Sequence, residues 1–164
     1  MKLFAQPYSV DADGFYFDSL DDYEAKADVA KDRFGQPVEE FEIQMIDGED
    51  IEVAVAKAMG INQANLPRFF ELIDDYDEDD LLKYAIAVGE GGYSDDSDPG
   101  QLDISVYEGV SMKELAEQFV DEGLYGEIPD PLVNYIDYEA IARDLRFDYS
   151  EANVAGRDLI YRLS

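Results

Sequence analysis

Asp74, Asp75, Asp77, Glu78, Asp79 and Asp80 put six carboxylates into seven consecutive positions, interrupted only by Tyr76. Carboxylates this close can hold a divalent cation, share a proton as an acid–base pair, or stand together as an anionic surface. Asp75-x-Asp77-x-Asp79 begins with the spacing of a calcium loop. The sixth position, however, is Asp80 where the sharp turn needs Gly, and the twelfth is Ile86 where a bidentate Glu is needed. Asp11-x-Asp13-Gly14 and Asp96-x-Asp98-x-Gly100 fail in the same way, so neither a metal site nor a cofactor is expected. A carboxylate-pair hydrolase has no specific signal either, because among 40 acidic residues any pair can be imagined. The plainest account of the run is a solvated helix start, since acids in a first turn complement the helix dipole.

The rest of the chain changes that balance. Twelve basic residues face 40 acidic ones, for a formal charge of -28. Such a molecule repels nucleic acid and anionic membrane and attracts basic surfaces or cations. It is not a disordered tail: 46% of its residues are hydrophobic and 13% aromatic, enough for a core within 164 residues. There is no Cys and no His, which removes disulfides, thiolate and imidazole metal sites, Cys nucleophiles and His-based triads. No catalytic residues are nominated, and an enzyme is not expected. No apolar run reaches membrane-spanning length, and Met1–Pro7 lacks the apolar core of a signal peptide, so a cytoplasmic protein without membrane contact is expected.

Duplex DNA carries about one negative charge per 1.7 Å of axis, so -28 matches roughly 48 Å of duplex. The carboxylates can therefore themselves be the ligand, offered to a DNA-binding groove in place of phosphates. Salt adaptation is the competing account, and it predicts diffuse charge without a shaped surface.

Elements must position these acids. Leu3–Tyr8 is a strand candidate, placed near a sheet edge by Pro7. Phe15-Tyr16-Phe17 returns beside it after an Asp-Gly turn. Ser19 caps a helix expected to run to Phe34 through Leu20, Tyr23, Ala27 and Ala30, and Gly35 and Pro37 end it. Val38–Ile46 alternates Phe41, Ile43 and Met45 with Glu40, Glu42 and Gln44, a half-buried strand with an acidic outer face. Three short helices follow: one through Ile51, Val55, Ala58 and Met59; one capped by Asn65, with Leu66, Phe69, Phe70 and Ile73 as its core face; and one from Asp77 through Val88. Gly89–Gly100 is a loop whose glycines follow a helix and lack a Lys, so it is no phosphate cradle. Leu102, Ile104 and Val106 alternate as a strand. Ser111–Glu114 is a capping box opening a helix to Gly123, Asp137 caps a helix over Tyr138–Leu145, and Arg157–Leu163 reads as a final strand. The fold class is α+β in three small parts: 1–48, a small antiparallel sheet with a helix; 49–100, helical, with the acidic run; and 101–164, α+β.

Leu115-Ala116-Glu117-Gln118-Phe119-Val120-Asp121-Glu122-Gly123-Leu124-Tyr125-Gly126-Glu127-Ile128-Pro129, with Asn134-Tyr135-Ile136-Asp137-Tyr138-Glu139-Ala140-Ile141-Ala142-Arg143-Asp144-Leu145, closely resembles the ArdA antirestriction family. Phe4–Tyr8 and Gly35–Gln44 are similar to its proteobacterial branch, and Gly91–Gln101 matches least. The resemblance implies a DNA mimic carried by mobile elements, elongated, homodimeric, and directed at the specificity and methyltransferase core of type I restriction–modification enzymes. It also implies an antirestriction motif around Asp121–Asp137 associated with dimer contact. On that basis the acidic run, with Glu40, Glu42, Asp121 and Glu122, is the expected mimic surface. Leu124, Tyr125, Tyr135, Ile136 and Tyr138 are the expected dimer contact. Arg143 is expected to form an internal ion pair. The alternatives are an acidic DNA mimic directed at another defence or DNA-binding system, and a salt-adapted, cation-binding protein.

Overall fold

A computed structural model describes residues 1–164. The chain forms two compact units, Met1–Leu102 and Asp103–Ser164. The fold is α+β, as the sequence pattern predicts.

The first unit opens with a three-stranded antiparallel sheet of order β2-β1-β3, built from β1 (Lys2–Pro7), β2 (Phe15–Phe17) and β3 (Phe41–Asp47). β1 is the central strand, which corrects the edge position expected from Pro7. The proline is tolerated because β2 pairs only with Leu3–Ala5, leaving Pro7 beyond that ladder and opposite Phe41. Leu3 and Ala5 point into the core with Phe17, Phe41 and Ile43, while Glu42 stays outside. β3 begins at Phe41, later than the sequence suggests, and Glu40 precedes it.

Helix α1 (Leu20–Val29) starts where expected, with Ser19 Oγ accepting from the Asp22 N–H at 3.2 Å. It stops five residues before Phe34. Ala30 is extended, and Asp32 captures the chain instead: its Oδ1 accepts from the N–H groups of Phe34 (2.9 Å) and Gln36 (2.8 Å). A short side chain that satisfies the backbone locally outcompetes the helix. Phe34 is consequently 67% exposed, and of the proposed apolar face only Tyr23 is buried.

α2 (Asp50–Ala58), α3 (Leu66–Asp75) and α4 (Glu78–Gly89) complete this unit. Leu66, Phe69 and Phe70 are buried as expected, but the fourth buried position is Leu72, with Ile73 half-buried. Asn65 occupies the cap position of α3, but its side chain makes no bond to the helix. Its Oδ1 accepts from Asn62 N–H at 2.7 Å, and its Nδ2 donates to Met59 O at 3.0 Å. Phe17 of the sheet meets Phe70 of α3 at 6.5 Å between ring centres.

In the second unit, β4 (Ile104–Glu108), β5 (Ser150–Val154) and β6 (Arg157–Leu163) form an antiparallel sheet of order β4-β6-β5. β5 has no counterpart in the sequence reading. Ser-Glu-Ala-Asn-Val is polar, buries only Val154, and is held as an edge by the turn at Ala155 and Gly156, both at positive φ. α5 (Met112–Asp121) and α6 (Tyr138–Leu145) pack on this sheet through Met112, Leu115, Ala116, Phe119, Ala142, Leu145 and Ile160. Ser111 and Glu114 form the predicted capping box, and Asp137 Oδ1 accepts from Ala140 N–H at 3.0 Å.

Candidate functional site

The acidic run straddles a helix junction. Asp74 and Asp75 are the last two residues of α3, and Asp77 is the N-cap of α4, with Glu78, Asp79 and Asp80 in its first turn. Asp77 Oδ1 accepts from Asp80 N–H at 3.0 Å. Asp77–Asp80 therefore have a local reason to be acidic, because they cap a helix and face its positive end. Asp74 and Asp75 have the opposite setting, at a negative helix end with no basic residue in the last turn. All the acids of the run are exposed except Asp80, which is half-buried and approaches Lys83 at 3.8 Å.

Tyr76, the one residue of the run without a charge, fixes the junction. Its Oη donates to Asp98 Oδ1 at 3.0 Å, and Gly100 N–H (3.0 Å) and Gln101 Nε2 (2.7 Å) donate to the same carboxylate. These donors, the Tyr76 hydroxyl foremost, hold the Asp98 carboxyl below its ordinary range. The 91–101 segment is further tied down by Tyr84 Oη donating to Asp95 O at 2.7 Å and by Arg68 Nη2 donating to Ser97 O at 3.0 Å. Burial, then the nearby Asp95 charge, pushes the Tyr84 phenol up to about 12. The loop that reads as featureless is thus an anchored strap, and its anchors are side chains far away in sequence.

Glu40 and Glu42 are exposed at the start of β3. In the second unit, Asp121 is the last residue of α5 and Glu122 its C-cap, again at a negative helix end without a basic partner in the last turn. Gln118 Nε2 donates to Glu122 Oε1 at 2.8 Å. Gly123, at φ 80°, then turns the chain into a segment where every residue from 121 to 135 except Ile128 is exposed. It carries Leu124 (61%), Tyr125 (53%) and Tyr135 (83%), together with Leu132 and Val133, which the sequence reading did not single out. Ile136 and Tyr138 are half-buried. Arg143 is exposed in the last turn of α6, where it complements the dipole, and the internal ion pair expected for it is not formed.

No acidic or basic residue is buried, so the whole charge imbalance is displayed at the surface. No group of three or more acidic residues is arranged to hold a metal ion. No helix is long and apolar enough to cross a membrane. What the chain offers chemically is a set of solvated anions on helix ends and loops and, within the second unit, an exposed apolar segment.

A search of curated proteins finds no match. The family model described as Antirestriction protein (ArdA) matches residues 10–156 of the 164. That span includes the acidic run, the strap that anchors it and the whole 121–138 segment, and the chain belongs to the ArdA family of antirestriction proteins.

Proposed function

We propose that this antirestriction protein works as a DNA mimic, without catalysis, by occupying the DNA-binding site of type I restriction–modification enzymes. The observation that carries this reading is the placement of Asp74 and Asp75. Carboxylates at a helix C-terminus cost stability and have no counter-charge there, so their presence is explained by a partner that uses them. Asp77–Asp80, Glu40, Glu42, Asp121 and Glu122 supply further carboxylates to the mimic. Three parts, 1–48, 49–100 and 101–164, each present a share of it. Two copies join through Leu124, Tyr125 and Tyr135, which are exposed, and the half-buried Ile136 and Tyr138, an apolar segment of a kind soluble monomers rarely leave uncovered. The molecule acts in the cytoplasm, where its target cuts DNA.

The test is competition against duplex DNA on a purified specificity–methyltransferase core at several salt concentrations. A charge-dominated interface of 6–10 phosphate-like contacts loses about 10³–10⁵ in affinity between 50 and 200 mM salt. Competitive displacement with a drop of that order is expected. Binding that ignores salt, or that leaves DNA bound, would reject mimicry.

A further inference from the structure

The acidic run is divided between two helices with a very short link. α3 ends at Asp75, Tyr76 is extended at φ -117° and ψ 147°, and Asp77, at φ -77° and ψ 172°, already caps α4. Packing of α3 directly on α4 is slight: α4 lies mainly against α2, and α3 touches α1 and α2. Two extended residues therefore carry the angle between Asp74 and Asp75 on one side and Glu78, Asp79 and Asp80 on the other. Six like charges within seven positions push that angle open. A surface offered to a groove in place of a stiff duplex has to be held against that push, because a joint that is ordered only on binding costs affinity.

The chain comes back to the junction and holds it. α4 is 12 residues, about 18 Å long, and the strap returns along it from the far end. Gly91 N–H donates to Ile86 O and Tyr93 N–H to Ala87 O, both at 3.0 Å. Midway the strap is met by Tyr84 Oη at Asp95 O, and at the start of α4 by Tyr76 Oη at Asp98. Arg68 supplies the link to the other helix. From α3 its Nη2 donates to Ser97 O, while its Nη1 pairs with Glu71 at 3.0 Å. Pro99 is fully buried, so the strap is packed as well as bonded. α3, the joint and α4 are thus all tied to one short segment.

Two features of this brace favour position over stability. Arg68 Nε is buried without a hydrogen-bond partner, a cost that an apolar residue at 68 would avoid without reaching Ser97. Tyr76 is the only break in the run. An acid there would add a charge, but an ionised carboxylate has no proton to donate to Asp98. We propose that Arg68, Tyr76 and Tyr84 are positioning residues for the mimic: through the strap they fix α3 against α4, and so the placement of Asp74 and Asp75 relative to Asp77–Asp80 that the partner's groove meets. The role deepens the mimicry reading and rests on it for the partner.

Asp98→Asn and Asp98→Ala separate bracing from charge. Both remove one charge, but only Asn keeps an oxygen for the Tyr76 hydroxyl and the Gly100 N–H. In displacement of duplex DNA from a purified methyltransferase core, Asn should stay near wild type and Ala should be about tenfold weaker. Tyr76→Phe with Tyr84→Phe keeps every charge and should also weaken displacement about tenfold. Its slope of log K against log salt should not change, since the contacts remain and only their geometry loosens. Residual dipolar couplings of the backbone amides, measured without a partner, read the joint directly. They should report one fixed orientation of α3 against α4 in wild type and Asp98→Asn, and an averaged one in Asp98→Ala and the double Phe variant, with β1–β3 unchanged throughout. Should the double variant fail to fold, the Asp98 pair decides. Equal weakening by Asn and Ala, unchanged affinity in the double variant, or couplings that fall equally in β1–β3 would overturn the brace. Wild-type protein that leaves DNA bound would reject mimicry itself, a failure seen without any variant.

Discussion

α3 and α5 end alike and continue differently. Each closes on two adjacent carboxylates at its negative pole, Asp74 with Asp75 and Asp121 with Glu122, and neither has a basic residue in its last turn. After α3 the chain stays acidic and turns its next carboxylates into the cap and first turn of α4. After α5 it becomes apolar, exposing Leu124, Tyr125, Leu132, Val133 and Tyr135. Water solvates the first arrangement at little cost, whereas the second leaves apolar area in water that burial against another surface would remove. If the first region is the mimic surface and the second the dimer contact, salt should weaken the first encounter and scarcely touch the second.

The largest test of that contrast neutralises Asp74, Asp75, Asp77, Glu78, Asp79 and Asp80 together as amides. Affinity for the methyltransferase core should collapse, and the slope of log K against log salt should flatten by about 0.9 for each lost contact. Sedimentation should show the oligomeric state unchanged. If affinity survives, the run is not the interface.

Tyr135→Asp probes the other side. It puts a charge into a residue that is 83% exposed in the isolated chain, so folding should be spared while the monomer fraction rises. An unchanged dimer, or a dimer that dissolves simply on raising salt, would erase the distinction between the two regions.

A smaller effect separates the two halves of the run itself. Asp77→Ala removes a cap and should destabilise by about 1 kcal/mol. Asp74→Asn and Asp75→Asn relieve a charge at the wrong helix end and should each stabilise by about 0.3–1 kcal/mol. Thermal or urea unfolding of the three single variants reads both signs. If all three lose stability alike, the helix-end account of Asp74 and Asp75 fails.

The smallest effect concerns Asp98, which anchors the strap beside the run. Its folded-state pKa lies below the unfolded one, through the Tyr76 hydroxyl first and the Gly100 N–H next. Its contribution is therefore complete above the unfolded carboxylate pKa and is lost as pH falls through the folded value. Tyr76→Phe should shrink the acid-side loss of stability and leave neutral-pH charge untouched. A wild-type acid limb in that variant would show that the hydrogen bond does not hold the carboxylate.

The local signals in the sequence were faithful because they close over three residues. Ser19, Asp77, Ser111 and Asp137 all cap where their spacing says, since each side chain needs only the N–H three positions on. The apolar alternation of β3 and most of the core face of α3 were legible for the same kind of reason, as period follows from backbone geometry. The α+β class, the family and the sign of the charge also lie in the sequence alone.

What it did not determine depends on contacts between distant residues. β1 is central because β2 is too short to reach Pro7, a matter of register across the sheet. α1 ends early because Asp32 finds the N–H groups of Phe34 and Gln36, and Val38 then bonds back to Ala30. The Gly-rich loop becomes an anchored strap only when Tyr76, Tyr84 and Arg68 reach it. Residues 39–41 are tied down by Gln63, whose Oε1 accepts from Phe41 N–H and whose Nε2 donates to Glu39 O. Charge is additive and can be counted along a chain. Register and anchoring hydrogen bonds arise only when separate segments meet, so tertiary structure alone decided them.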